Sequence, residues 1–130
     1  MNVTRYSYLS ILLLFALMVA PGLVRAQDAP SEQVLAGEKL FKSQCASCHK
    51  LNAKLIGPAL EGVEARWTEG AEHDGVSGRD WLKRWIKNWQ DPVNAGNPYA
   101  VNMQNFDASA MTQFPALQDA DLENILAYIA

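Results

Sequence analysis

The chain has 130 residues, 49% of them apolar, and a net charge of −3 from 11 basic and 14 acidic side chains. That length suits one small core and leaves little room for a second domain. The acidic balance excludes a nucleic-acid surface built on bulk positive charge, and two cysteines with two histidines are too few for a metal-rich scaffold.

The first segment reads as a targeting signal. Met1 to Tyr8 carries one charged side chain, Arg5; LSILLLFALMVA (9–20) is almost unbroken apolar sequence; Pro21-Gly22 breaks it, and Val24 and Ala26 supply small residues. This pattern predicts a secretory signal over 1–26, cleaved before Gln27. An uncleaved anchor is the weaker alternative, because twelve apolar residues fall short of the roughly twenty that a helix needs to cross a bilayer. The module is then 27–130, exported to an oxidising compartment, the periplasm. Cleavage removes Arg5 and Arg25 but no acid, so the exported chain is two charges more negative than the whole sequence.

From Ser31 to Gln44, apolar positions at Val34, Leu35, Leu40 and Phe41 alternate with charges in the pattern of an amphipathic helix, and Ser31 suits its N-terminus. Directly after it comes CASCHKL (45–51), which places both cysteines and one histidine within five positions. A disulfide between Cys45 and Cys48 would belong to a thioredoxin-like redox site, but no strand-helix-strand alternation accompanies it. Zinc needs a fourth ligand, and the remaining histidine, His73, sits in an acidic stretch without ligand spacing. C-x-x-C-H is the attachment pattern of a c-type haem. Two thiols three residues apart reach the two vinyl groups on one edge of the macrocycle and form thioethers, and His49 then presents its imidazole to the iron. Ala46 and Ser47 are small enough to keep the loop close to the ring.

Further along, Glu61, Glu64, Glu69, Glu72 and Asp74 make an acidic stretch that reads as a solvated face. SGRDWLKRWIKNWQ (77–90) opens with a Ser77-x-x-Asp80 capping pattern and stops before Pro92. Trp81, Leu82, Trp85, Ile86 and Trp89 share one helical face, while Lys83, Arg84 and Lys87 fall off it. The aromatic face is expected to wall a haem pocket or pack the core, with an exposed docking patch as the alternative. The segment 91–111 reads as a long loop. LQDADLENILAYIA (117–130) is a second amphipathic helix, with Leu122, Ile125, Leu126 and Ile129 at helical spacing and Asp119 and Asp121 near its positive N-terminal end.

Iron held by His49 alone would be five-coordinate and open to small ligands; a thioether on its other face closes the site and raises the reduction potential. Beyond the signal the chain offers only Met103, in a polar stretch where it could serve the surface or packing, and Met111, in MTQFP, where Phe114 and Pro115 stiffen the chain.

With Gly37-Glu38-Lys39-Leu40-Phe41, Cys45-x-x-Cys48-His49, Gly57-Pro58-Ala59-Leu60 and Met111-Thr112-Gln113-Phe114-Pro115 in that order, the chain resembles a class I monohaem cytochrome c over nearly all of 27–130. The resemblance implies an all-α fold in which the N- and C-terminal helices cross near perpendicular, with Gly37 permitting close approach and Phe41 near Tyr128, and with a middle helix and long loops around one covalent haem c. It implies His49 and Met111 as axial iron ligands, Pro58 as the carbonyl that orients His49, and Arg66 and Trp67 as candidates for a propionate contact. It also implies an electron carrier, not an enzyme, with redox proteins as partners and no small-molecule substrate. A haem-based sensor or peroxidase with a displaceable sixth ligand is the alternative.

WLKRWIKN (81–88) and MTQFPALQDADLENILAYI (111–129) are similar to monohaem subunits and domains associated with bacterial alternative complex III and haem-copper oxidases. That likeness implies respiratory electron transfer between a quinol-oxidising complex and a terminal oxidase, either as a free periplasmic carrier or attached to a membrane-bound complex. Lys39, Lys42, Lys50 and Lys54 cluster around the haem motif, so an acidic partner is expected there.

Overall fold

A computed structural model describes residues 30–130; the signal reading for 1–26 lies outside the described residues. The described residues form six helices and contain no strand beyond a single bridge between His73 and Val76.

The outer helices are α1 (Glu32–Gln44) and α6 (Asp119–Ile129). Ser31 caps α1 by accepting the Val34 N–H at 3.3 Å, which satisfies one of the donors that a helix start leaves unpaired. Asp121 caps α6 by accepting the Gln118 N–H at 2.9 Å. The two helices pack through Gly37: a Cβ there would run into the backbone carbonyl of Asn124, so only glycine lets the backbones approach this closely. One turn later Phe41 meets Tyr128 with ring centroids 5.3 Å apart. Leu122, Ile125, Leu126 and Ile129 are buried on the same α6 face, the face that the three-four spacing selects.

The middle of the chain is more helical than its sequence suggests. Part of the acidic stretch forms α2 (Val63–Gly70), which buries Val63 and Trp67 and leaves Glu69 exposed; Glu64 is tied to Arg79. Gly62 enters α2 with φ of +67°, a conformation that costs glycine little. The chain then turns through Asp74 and Gly75, both at positive φ, as a tight two-residue hairpin turn requires.

The tryptophan-rich helix α3 (Gly78–Lys87) begins where its capping pattern predicts, with the Ser77 hydroxyl 3.1 Å from the Asp80 amide. It ends three residues earlier than the expected Gln90. A short helix α4 (Gln90–Asn94) starts there and carries Pro92 in its first turn, where a missing N–H costs no helical hydrogen bond. Arg84 clamps this corner with two bonds to Asp91, at 2.6 and 2.9 Å, and stacks over the Trp81 ring at 4.1 Å. The guanidinium beside Asp91 holds that carboxyl below its usual range.

The expected long loop also contains α5 (Pro98–Met103), with proline at its start. Its anchor is Asn97, 0% exposed, whose side-chain amide donates to the Ala71 carbonyl at 2.8 Å and accepts the Ala100 N–H at 3.0 Å. That one side chain ties α5 to the end of α2.

Candidate haem site

Between α1, α3, α5 and the segment leading into α6 lies a largely apolar cavity of about 380 Å³, within the range of cavities that hold organic cofactors. Cys45, Cys48, His49, Pro58, Arg66, Trp67 and Met111, the residues expected at the haem site, line it.

The CASCH segment is the C-terminal turn of α1 continued. The Cys45 and Ala46 amides both donate to the Phe41 carbonyl, and the His49 amide returns to the Cys45 carbonyl at 2.9 Å, so the two cysteines and the histidine are placed by helical hydrogen bonding. Both thiols are free. Burial, and then the neighbouring Cys48, push the Cys45 thiol up to about 11, so it is protonated at neutral pH.

The loop that follows folds back onto this turn through Gly57 N–H to the Cys48 carbonyl, Leu60 N–H to that of Lys50, and Glu61 N–H to that of Leu51. Pro58 is thereby placed with its carbonyl 3.0 Å from His49 Nδ1. A carbonyl only accepts, so Nδ1 carries the proton and Nε2 is left with its lone pair, the tautomer an iron ligand needs. Gly57 lies against the ring: a Cβ there would stand 2.6 Å from Nδ1 and 2.7 Å from Nε2.

Arg66 and Trp67 are adjacent in α2 but differently engaged. The Arg66 guanidinium donates to the carbonyls of Glu61 and Ala59, both at 2.6 Å, bracing the loop that carries Pro58. Trp67 is 3% exposed and wedged between Trp85 and Tyr99, with centroids at 5.5 and 4.9 Å.

Met111 reaches the cavity from the segment before α6, which is pinned to α3 by the Phe114 N–H on the Lys87 carbonyl at 3.0 Å and to α4 by Gln113 on Gln90 at 3.1 Å. Its sulfur accepts a hydrogen bond from Trp85 Nε1 at 3.2 Å. Met103, at the end of α5, is half-buried and lines the same cavity; of the surface and packing roles open to it, it takes the packing one. The tryptophan face divides: Trp81 belongs to the core and donates to the His73 carbonyl at 3.2 Å, while Trp85 and Trp89 line the cavity. No docking patch of three tryptophans forms.

The residues fit haem c. The donor set combines two free thiols, an imidazole with its tautomer fixed, and a thioether, around a cavity with apolar walls. The family description "Cytochrome c" matches residues 34–130. The chain belongs to the cytochrome c family. It is 37% identical over 92 residues to cytochrome c-551 of Stutzerimonas stutzeri, covering 69% of this chain and 80% of that one. It is 43% identical over 68 residues to cytochrome c-551 of Ectopseudomonas mendocina, covering 52% of this chain and 77% of that protein. Among solved structures, a cytochrome c from Rhodothermus marinus superposes with a TM-score of 0.56 at 25% identity, covering 75% of this chain and 73% of that chain. As a family member, this cytochrome binds haem c covalently and works as an electron carrier, not as an enzyme. No helix among the described residues is long and apolar enough to cross a membrane.

Proposed function

We propose that this cytochrome c carries single electrons in the periplasm, between a quinol-oxidising complex and a terminal oxidase, with His49 and Met111 as the two axial ligands of one haem c. The observation that carries the reading is the placement of a tautomer-fixed imidazole and a hydrogen-bonded thioether on the wall of one apolar cavity. When bound, haem c supplies a one-electron ferric/ferrous couple.

The chain's own residues have separable tasks. Cys45 and Cys48 would hold the haem through thioethers, each S–H adding across one vinyl group with no net oxidation. Both must therefore be thiols when the bonds form, and neutral protonation of Cys45 is compatible with that. Pro58 keeps the Nδ1 proton, so His49 offers Nε2. Met111 would offer a soft sulfur, which favours the reduced metal and would close the site to a substrate. Trp67 is the better candidate for a propionate: its indole N–H has no partner among the described residues, and no fully buried side-chain nitrogen there lacks one. Arg66 acts on the Pro58 loop, since its bonds go to that loop's carbonyls.

Export rests on the 1–26 reading. For the partner surface, Lys50 and Lys54 are exposed next to the haem motif, while Lys42 is engaged with Glu38 at 2.7 Å; an acidic redox partner fits this side. Electron-transfer rates that fall with rising ionic strength support it, and rates indifferent to salt count against it.

The deciding experiment is the spectrum of the oxidised holoprotein. A weak far-red band from methionine sulfur on ferric iron, lost in Met111→Ala, supports the closed carrier site. A native protein without that band that binds carbon monoxide when reduced belongs instead to the sensor or peroxidase class.

A further inference from the structure

We infer that Lys54 and Phe106 form a clasp across the mouth of the cavity, one that holds the chain leading to Met111 against the loop behind His49 and so keeps small ligands from the iron. The inference rests on Met111 being the axial ligand.

The two rims of the mouth come from different sides of the site. Ile56 and Phe106 both line the cavity and yet are 44% and 40% exposed, so each stands at its edge. Ile56 belongs to the loop that folds back on the histidine turn, and Phe106 to the stretch between α5 and Met111. Lys54 reaches from the first rim to the second. Its Nζ lies over the Phe106 ring, 4.9 Å from the centroid, inside the ~6 Å within which the negative face of an aromatic ring attracts a cation.

Little else holds the second rim. Among the described residues, every hydrogen bond made by 104–110 closes within four positions: Gln104 to Ala100 and Val101, Phe106 to Met103, and Ser109 to the Asp107 side chain. None of these seven residues is buried. Beyond Met111 the chain is fastened to α3 and α4 through Phe114 and Gln113; ahead of it, the polar tie to a distant part of the chain is the Lys54 cation. The first rim is the firmer one, since the Gly57 amide donates to the Cys48 carbonyl and the Leu55 amide to that of Gly57.

A small ligand takes the sixth position only when Met111 leaves and the second rim lifts. Its apparent affinity is the intrinsic affinity scaled by the fraction of protein in that open state. An exposed cation–π contact present only in the closed state lowers this fraction about threefold.

Imidazole titrated into the ferric holoprotein reads the clasp. Lys54→Gln removes the cation, and Phe106→Leu removes the aromatic face; both positions are exposed, so neither change disturbs the core. Each should tighten imidazole binding about threefold. The double variant should bind no tighter than either single one, because both changes delete the same contact. Lys54→Arg keeps a cation over the ring and should bind like the native protein. Lys50→Gln removes the same charge from a neighbouring exposed lysine and should also leave binding unchanged.

Imidazole affinity that ignores Lys54→Gln overturns the inference, as do single-variant effects that multiply in the double variant. A Lys50→Gln effect equal to that of Lys54→Gln overturns it too, since it reduces the effect to net charge. The far-red band of the native oxidised protein separates the two levels. Its absence removes Met111 as ligand and this inference with it, whereas a band that is present while Lys54→Gln changes nothing defeats the inference alone.

Discussion

The histidine side and the methionine side of this cavity are built on different length scales. Cys45, Cys48, His49, Gly57 and Pro58 come from one helical turn and the loop folded back on it, and every hydrogen bond that orients His49 closes within about a dozen residues. Met111 is positioned by α3 and α4, through contacts that span 23 to 27 positions. The chemically demanding step, covalent capture, thus depends on structure that can form locally, while closure of the sixth position waits for the tertiary fold.

Breaking the local side outright gives the largest effect. Replacing Cys45 and Cys48 together by alanine should abolish covalent attachment, so that haem staining disappears from a denaturing gel and acidified organic solvent extracts any haem retained.

On the other side, the test is Asn97, which touches no ligand. Asn97→Ala leaves the Ala71 carbonyl and the Ala100 amide buried without a partner and should cost about 3 kcal/mol, at one to three per orphaned group, read from denaturant midpoints. Because α5 carries Met103 and abuts Trp67 through Tyr99, the far-red band should weaken as well. Haem attachment unchanged alongside a weakened band would confirm that the two sides are separable.

Gly57→Ala probes the histidine side more gently. Its methyl group meets the imidazole, and overpacking of this kind costs about 2 kcal/mol. The expected signature is a shifted reduction potential with attachment intact, because the cysteines are untouched; an unchanged potential would show that the ring has room to move.

The smallest effect is electrostatic and lies outside both sides. Glu123 on α6 binds Lys83 and Arg79 of α3, and hydrogen bonds from Lys83, then Arg79, hold its carboxyl below the ordinary 4.5. A depressed acid stabilises the fold above its unfolded value and loses that contribution as pH falls through the folded one. Stability should therefore decline below about pH 4.5, and Glu123→Gln should flatten that limb. Water screens this partly exposed group, so the difference at neutral pH should stay within about 1 kcal/mol, measurable by denaturation at pH 7 and pH 3.

Much of the frame was legible in the order of residues. The two outer helices are readable because an amphipathic stripe is a local pattern, as is an N-terminal cap, and Ser31 and Ser77 cap where such patterns place them. C-x-x-C-H is readable because the spacing of its reactive atoms is set within a single turn. Helices α2 and α5 were hidden for a physical reason. Acidic residues on α2 mask the burial of Val63 and Trp67, and α5 owes its place to Asn97, a polar residue that normally marks a turn and here is buried because it completes hydrogen bonds supplied from elsewhere in the chain.

The sequence by itself determined the cofactor class, its attachment points and the helical frame, because each depends on residues close together along the chain. Which tryptophan meets the sulfur, which side chain braces the Pro58 loop and why both methionines reach the cavity were decided only by tertiary structure, since those contacts join segments that are brought together by packing and carry no mark of one another in their spacing.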